Sequence, residues 1–313
     1  MRLPSVPVRA VQTVVVLLAL VIAGVACGDS SDTDTDLVIG SAPGAAPRVA
    51  AQIYAEVLRH NGAAVASDVV TASYPRLLAG FDSGRVDLFP AFTGTLLAEL
   101  APNATDTGSD AVYSALNSAL PQGVSVGDPT PVSDQLQVVV AASLASSRDI
   151  DELSECSRLP AGLPVVGDRA PDPGTLAALG GVGCRFGPFR QVSSVSEVVS
   201  AVTGGNAVGL VSTLSTAGTD ANLQALADAA QPSSGRPLAP AAPADAAEQP
   251  AIRAENLVPV FSTAALTRDQ IKAINKVAGE LTTADLATMA ERVSGDPGSV
   301  GTVVDNWLGE HSL

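Results

Sequence analysis

Residues Gly84–Thr95 read GRVDLFPAFTGT. Val86 and Leu88 are spaced as the inward face of a short buried strand, Pro90 marks a turn, and an apolar helix is expected from about Thr93. A strand that runs straight into a helix start offers free backbone N–H groups to a ligand, and open α/β sheets bind ligands at such edges. An ordinary β-to-α connection would look similar, so the neighbours decide.

Upstream, Leu37–Gly40 forms a short apolar strand and Ser41–Pro47 a Gly/Pro-broken loop. Arg48–Asn61 places Val49, Ile53, Tyr54, Val57 and Leu58 at helical spacing and stops at Asn61-Gly62. Ala66–Val70 reads as a strand, Tyr74–Asp82 as a helix, Val86–Phe89 as a strand and Ala111–Leu120 as a helix. Such alternation argues for parallel βα units. Pro129-Thr130-Pro131 breaks the pattern. A second α/β unit then follows: strand Leu136–Ala142, strand Val165–Val166, helix Gly174–Leu179, helix Val195–Val202 and strand Ala207–Val211.

Residues 232–250 hold 11 Ala or Pro in 19 with no apolar period, as a loop or insertion would. Strand Leu257–Phe261 and helices with N-caps expected at Thr267 and Thr283 close the chain. These last segments have no sheet of their own, so they are expected to return to the first lobe. The layout is therefore 37–131 for lobe 1, 132–231 for lobe 2, 232–250 for the loop and 251–313 for the return. The chain crosses between lobes twice, as a hinge-closing fold requires.

The 313 residues are 46% hydrophobic and 3% aromatic, so the cores must be built from Ala, Val and Leu. Net charge is −15. Arg2 and Arg9 account for two of the 17 basic residues and none of the 32 acidic ones precedes Cys27, which leaves −17 on the remainder. That surface suits neither nucleic acid nor anionic lipid, both of which want a basic patch.

Residues 1–26 read as an export signal: two arginines, an apolar run from Val14 to Val25 and small residues before Cys27. The run is short for a membrane span. Gly24-Val25-Ala26-Cys27 resembles the lipobox of bacterial lipoproteins, with Gly24 where Leu is usual, which implies lipidation at Cys27. Residues 27–36 would then be a polar, acidic tether. Cys156 and Cys184 remain, and two cysteines in an exported chain are expected to pair.

No catalytic signature is present: no G-x-S-x-G, H-E-x-x-H, C-x-x-C or Walker motif. Lys272 and Lys276 lack a serine three residues before them. Gly181-x-Gly183 lacks the third glycine of a dinucleotide fingerprint. His60 and His311 are far apart, which leaves no evident metal set. Neither cofactor nor covalent chemistry is expected.

The order of leader, LVIGS (37–41), helix Arg48–Asn61, GRVDLFPAFTGT, LVST (210–213), ENLVPV (255–260) and LTTADL (281–286) resembles the substrate-binding proteins of osmoprotectant ABC transporters, the glycine betaine/choline/carnitine class. The family stretch is close to G-x-I-D-L-Y-P-E-Y-T-G-T. The resemblance covers about 37–231 and 251–310. It implies a two-lobed type II periplasmic-binding-protein fold, an α/β architecture with a hinge between lobes. It also implies a monomer anchored on the extracytoplasmic face of the cell membrane, a small-molecule solute and an ABC permease as docking partner.

The family holds its cationic headgroup in a tyrosine cage, and this chain departs from that. The two family tyrosines are Phe89 and Phe92, and the family acid is Ala91. Phe92 alone is expected to keep an aromatic face at the cleft, with Thr93 and Thr95 as hydroxyl partners. Asp134 and Gln135 stand where the first crossing often carries a tyrosine. Val211 replaces an aromatic, with Ser212 and Thr213 retained, and Glu255 lies near another replaced tyrosine. Arg169 falls where the family places an arginine able to clamp a carboxylate. Ser41 opens a small loop where the family usually has polar contacts. Asp134 or Glu255 suits a cation, whereas Arg169, Gln135 and the hydroxyls suit a neutral or acidic solute. A receptor that senses solute or binds a partner protein without a permease is the alternative role.

Overall fold

The computed structural model describes residues 36–171, 173–215, 220–228 and 252–313. The leader, Cys27, the tether up to Thr35 and the loop 232–250 lie outside the described residues. No helix among the described residues is long and apolar enough to cross a membrane.

The first lobe begins with β1 (Gly40–Ser41), α1 (Ala45–His60), β2 (Val70–Thr71), α2 (Tyr74–Asp82) and β3 (Leu88–Phe92), followed by α3 (Thr93–Leu100), α4 (Ser109–Ala119) and β4 (Val124–Val126). The second contains β5 (Leu136–Ala141), α5 (Ala142–Arg148), β6 (Val165–Gly167), α6 (Pro173–Gly181) and β7 (Phe189–Gln191), then α7 (Val195–Thr203), β8 (Val208–Ser212) and β9 (Leu223–Leu226). The return brings β10 (Leu257–Ser262), α8 (Arg268–Glu280), α9 (Thr283–Gly295) and α10 (Val300–His311).

Both sheets follow one plan. In the second lobe the order is β7-β6-β8-β5-β9. In the first, β3-β10-β4 is joined to the β1-β2 pair by a parallel bridge between Ile39 and Leu88. The expected parallel units are present: β1 with β2, and β6 with β7 and β8. Strands β10 and β5 run antiparallel to both their neighbours. These are the strands that enter a lobe directly after a crossing, so each arrives in the opposite sense from strands delivered by a local helix.

Side-chain period explains the layers. Leu88, Phe92, Leu257 and Phe261 face α1, α8, α9 and α10, while Phe89, Ala91, Val258 and Val260 face α2, α3 and α4. Covered on both faces, β3 is buried along its whole length. In the second lobe Val138, Val140, Val165 and Leu210 pack on one side, and Val139 and Val211 pack against α7 on the other. The expected apolar positions of α1 are all at most 1% exposed.

Three local expectations are corrected. Pro90 is not a turn: it lies inside β3, opposite Pro259 of β10. The Phe92 N–H and the Pro259 carbonyl both point away from the shared ladder, to Tyr74 and Gly127. The Pro90–Pro259 pair therefore falls where neither strand needs the other's N–H. The last helix but one is capped by Thr282 and not Thr283, because a capping box needs its acid three residues on, and that acid is Asp285. Thr283 Oγ1 instead accepts the Ser133 N–H at 3.0 Å, tying α9 to the first crossing. Third, the expected strand at Ala66–Val70 shortens to Val70–Thr71, with a single bridge from Val65 to Leu37.

Cys156 and Cys184 are buried in the second lobe with sulfurs 2.10 Å and Cα atoms 4.8 Å apart. The chain leaves the described region at Asp228 and re-enters at Ile252, whose N–H donates to the Asp228 carboxylate at 3.3 Å.

Candidate functional site

The two crossing segments lie side by side. Ser133 and Asn256 form an antiparallel bridge, the Asp134 N–H donates to the Glu255 carbonyl at 3.0 Å, and Gln135 Nε2 donates to the Ile252 carbonyl at 2.7 Å. This places Asp134 and Glu255 next to each other at the seam between the lobes.

Each carboxylate is bound to a different lobe. Glu255 sits over the start of α3, where the first helical N–H groups have no partner inside the helix. Thr95 donates its N–H to Glu255 Oε2 at 2.9 Å and its Oγ1 hydroxyl to Oε1 at 2.8 Å. Asp134 turns to the second lobe: Arg169 Nη1 donates to Oδ2 at 2.9 Å, and Arg169 Nη2 donates to Oδ1 at 3.3 Å and to the Asp134 carbonyl at 2.8 Å. The Ser212 hydroxyl, at the end of β8, donates to Oδ1 as well.

Burial pushes the Glu255 carboxyl up to about 7; the Thr95 bonds and Arg169 oppose the rise, and neighbouring Asp134 adds to it. Burial also works against the Arg169 charge, but Asp134 more than offsets that, so Arg169 is held firmly protonated.

Two adjoining cavities share Thr95, Asp134 and Arg169. One, of about 380 Å³, extends along Ala98, Glu99, Ile252 and Glu255. The other, of about 530 Å³, opens over Phe92, Tyr74, the Ala42–Gly44 loop and the first turn of α1 towards Ser212 and α9. Both are of a size that takes a small solute.

Of the residues expected at the site, Phe92, Thr95, Asp134, Arg169, Ser212 and Glu255 line these cavities. Ser41, Thr93, Gln135 and Thr213 lie behind them with their polar atoms on the backbone. Ser41 donates to Ala42, Thr93 accepts from the Asn256 N–H, Gln135 donates to Ile252 and Thr213 donates to Ser133. They shape the crossings and the loop.

Sequence reading missed Tyr74. It is 8% exposed, lines the larger cavity beside Phe92, and its hydroxyl accepts the Phe92 N–H at 3.1 Å. Phe92 is therefore not the single aromatic face of the cleft. Phe89, by contrast, is buried between Tyr74 and Phe81. Glu291 of α9 also reaches the larger cavity, a placement that no local motif signals.

Residues 35–175 match the model of the substrate-binding domain of ABC-type glycine betaine transport systems. The fold matches the crystal structure of a glycine betaine/carnitine/choline ABC transporter protein at a TM-score of 0.71 and 14% identity, covering 88% of this chain and 99% of that one. It matches apo YehZ from Escherichia coli at 0.66 and 14%, covering 88% and 99%. A third structure, lactococcal OpuAC closed on glycine betaine, matches at 0.51 and 14%, covering 88% and 96%. At these identities the structures establish the two-lobed type II periplasmic-binding-protein fold. No curated protein matches the sequence.

Proposed function

We propose that this chain is the extracytoplasmic solute receptor of an ABC importer, a reading supported by the match of residues 35–175 to the model of the substrate-binding domain of glycine betaine transport systems. The observation that carries the reading is the convergence of Phe92, Thr95, Asp134, Arg169, Ser212 and Glu255 on cavities at the two segments joining the lobes. A solute held there touches both lobes, so its differential contacts bias the hinge toward closure. Lobe 1 is drawn over 37–131 and 251–313, and lobe 2 over 132–231.

In this reading residues 1–26 are removed and Cys27 is lipidated, holding a monomer on the outer face of the cell membrane. Cys156 and Cys184 form a structural disulfide, and the permease's transmembrane subunit is the docking partner. The protein carries out no covalent catalysis.

The test is a thermal-shift screen of the purified mature chain against betaines, choline, carnitine, amines, polyols, sugars, carboxylates and aromatic compounds. A ligand at about 100 times its Kd adds about 2.7 kcal/mol, a shift easily read. A clear response to one class, reduced when Thr95 or Arg169 is replaced, supports the receptor. A folded protein that responds to no class refutes it. Loss of uptake of that compound on deletion of the gene separates transport from sensing alone.

A further inference from the structure

Hydrogen-bond capacity at the cleft is unevenly spent. The Arg169 fork is used on Asp134, the Ser212 hydroxyl also goes to Asp134, and the Thr95 hydroxyl and N–H go to Glu255. Thr213 and Gln135 donate to backbone carbonyls. These are the side-chain donors that a neutral or acidic solute would need; the backbone at the start of α1 also borders the larger cavity. The acceptors are in the opposite position: an ionised carboxylate has about four lone-pair sites, and each Glu255 oxygen receives one protein donor while Asp134 Oδ2 receives one. Arg169 is ion-paired with Asp134 and not with Glu255; Glu99 and Glu291 add negative charge at the cavity walls, against one further cation among the described residues there, Arg253, whose guanidinium is bonded to the Ala104 and Asp106 carbonyls.

We infer that the cleft selects a small protonated amine, a cation that itself donates hydrogen bonds, and holds it between Asp134 and Glu255. The inference rests on the receptor reading and deepens it. A quaternary ammonium has charge but no N–H, so it satisfies the Coulombic demand and leaves the spare acceptors unpaired once it has displaced their water, and acceptors cut off from water without donors are costly. It would depend instead on aromatic faces, of which Phe92 and Tyr74 are the ones lining the cavity.

The geometry also gives the amine a mechanical role. Glu255 is fastened to the first lobe through Thr95, and Asp134 to the second through Arg169 and Ser212. A donor that bonds both carboxylates at once links the lobes across their own crossing segments. One that reaches a single carboxylate does not.

A ligand series tests this without altering the protein. Ethanolamine, N-methylethanolamine, N,N-dimethylethanolamine and choline keep one positive charge while their N–H donors fall stepwise to zero. Calorimetric titration of the mature chain at pH 8, above the value of about 7 at which the Glu255 carboxyl is held, is expected to give affinities that fall along the series, with choline at least tenfold weaker than ethanolamine. Glu255→Gln is expected to lower ethanolamine affinity at least tenfold and to flatten the series, while Lys272→Gln, far along α8, leaves it unchanged. Affinity that rises toward choline, or that is equal across the series, overturns the inference and leaves the receptor intact. So does the absence of measurable binding by all four compounds when another class responds in the broad screen. Failure of every class in that screen overturns the receptor itself.

Discussion

Replacing Glu255 by Gln should reverse sign in its effect on stability as pH is raised. The carboxyl is held up to about 7 in the fold against an ordinary 4.5, with burial as the largest cause. A group whose folded pKa is raised favours the fold fully below its unfolded pKa, and that contribution is lost as pH rises through the folded value. At about 1.4 kcal/mol per pH unit, the displacement from 4.5 to about 7 amounts to about 3 kcal/mol lost between pH 4.5 and pH 7. Gln keeps the shape and does not titrate, but it can accept from one of the two Thr95 donors instead of both, a loss of about 1 kcal/mol. The variant is therefore expected to be about 1 kcal/mol less stable at pH 4.5, equal near pH 5, and about 2 kcal/mol more stable at pH 8. Urea denaturation of both proteins across that range reads the difference directly. A difference that does not change with pH would refute the raised carboxyl at this position. Saturating ethanolamine, if it binds as inferred, should narrow the gap at high pH by stabilising the ionised wild-type carboxylate.

Other perturbations follow from the packing. Gly94→Ala would put a Cβ 2.6 Å from the Ala254 carbonyl oxygen and 3.0 Å from Arg253. This overpacking is expected to cost about 1–3 kcal/mol and, by pushing on the second crossing, to weaken solute binding in calorimetry. Tyr54 Oη is buried without a hydrogen-bond partner; Tyr54→Phe should raise the denaturation midpoint, by about 1 kcal/mol of stability, because it removes an uncompensated polar group. Replacing Cys156 and Cys184 by Ser opens a 28-residue loop and should cost about 3–4 kcal/mol; reductant should lower the wild type to the same midpoint and leave the variant unmoved. Thr283→Val removes the hydroxyl that accepts the Ser133 N–H but leaves the Thr282 capping box. It should cost about 1 kcal/mol without reducing helix content in circular dichroism, whereas Thr282→Val should reduce both.

Much of the architecture was legible because it rests on local periodicity and chemistry. The spacing of Val49, Ile53 and Val57 makes one helix face whatever that face meets, and Thr267 with Gln270 forms a capping box at the start of α8. The GRVDLFPAFTGT stretch does end at a helix start beside the cleft. Short strands such as β4, β7 and β9 were not legible, since three or four residues carry no period of their own and exist as strands through their ladder partners. Pro90 misled for the same reason: whether a proline ends a strand or sits within it depends on where its missing N–H would have pointed, and that is set by β10, about 170 residues away in sequence. At the site, the family resemblance pointed to Asp134, Arg169 and Glu255, but not to their pairing. Their residue types left a cationic and a neutral or acidic solute both open. Tertiary structure alone fixed which side-chain donors are spent on the protein and which carboxylate oxygens keep free lone pairs, because hydrogen-bond supply at a site is a property of neighbours in space.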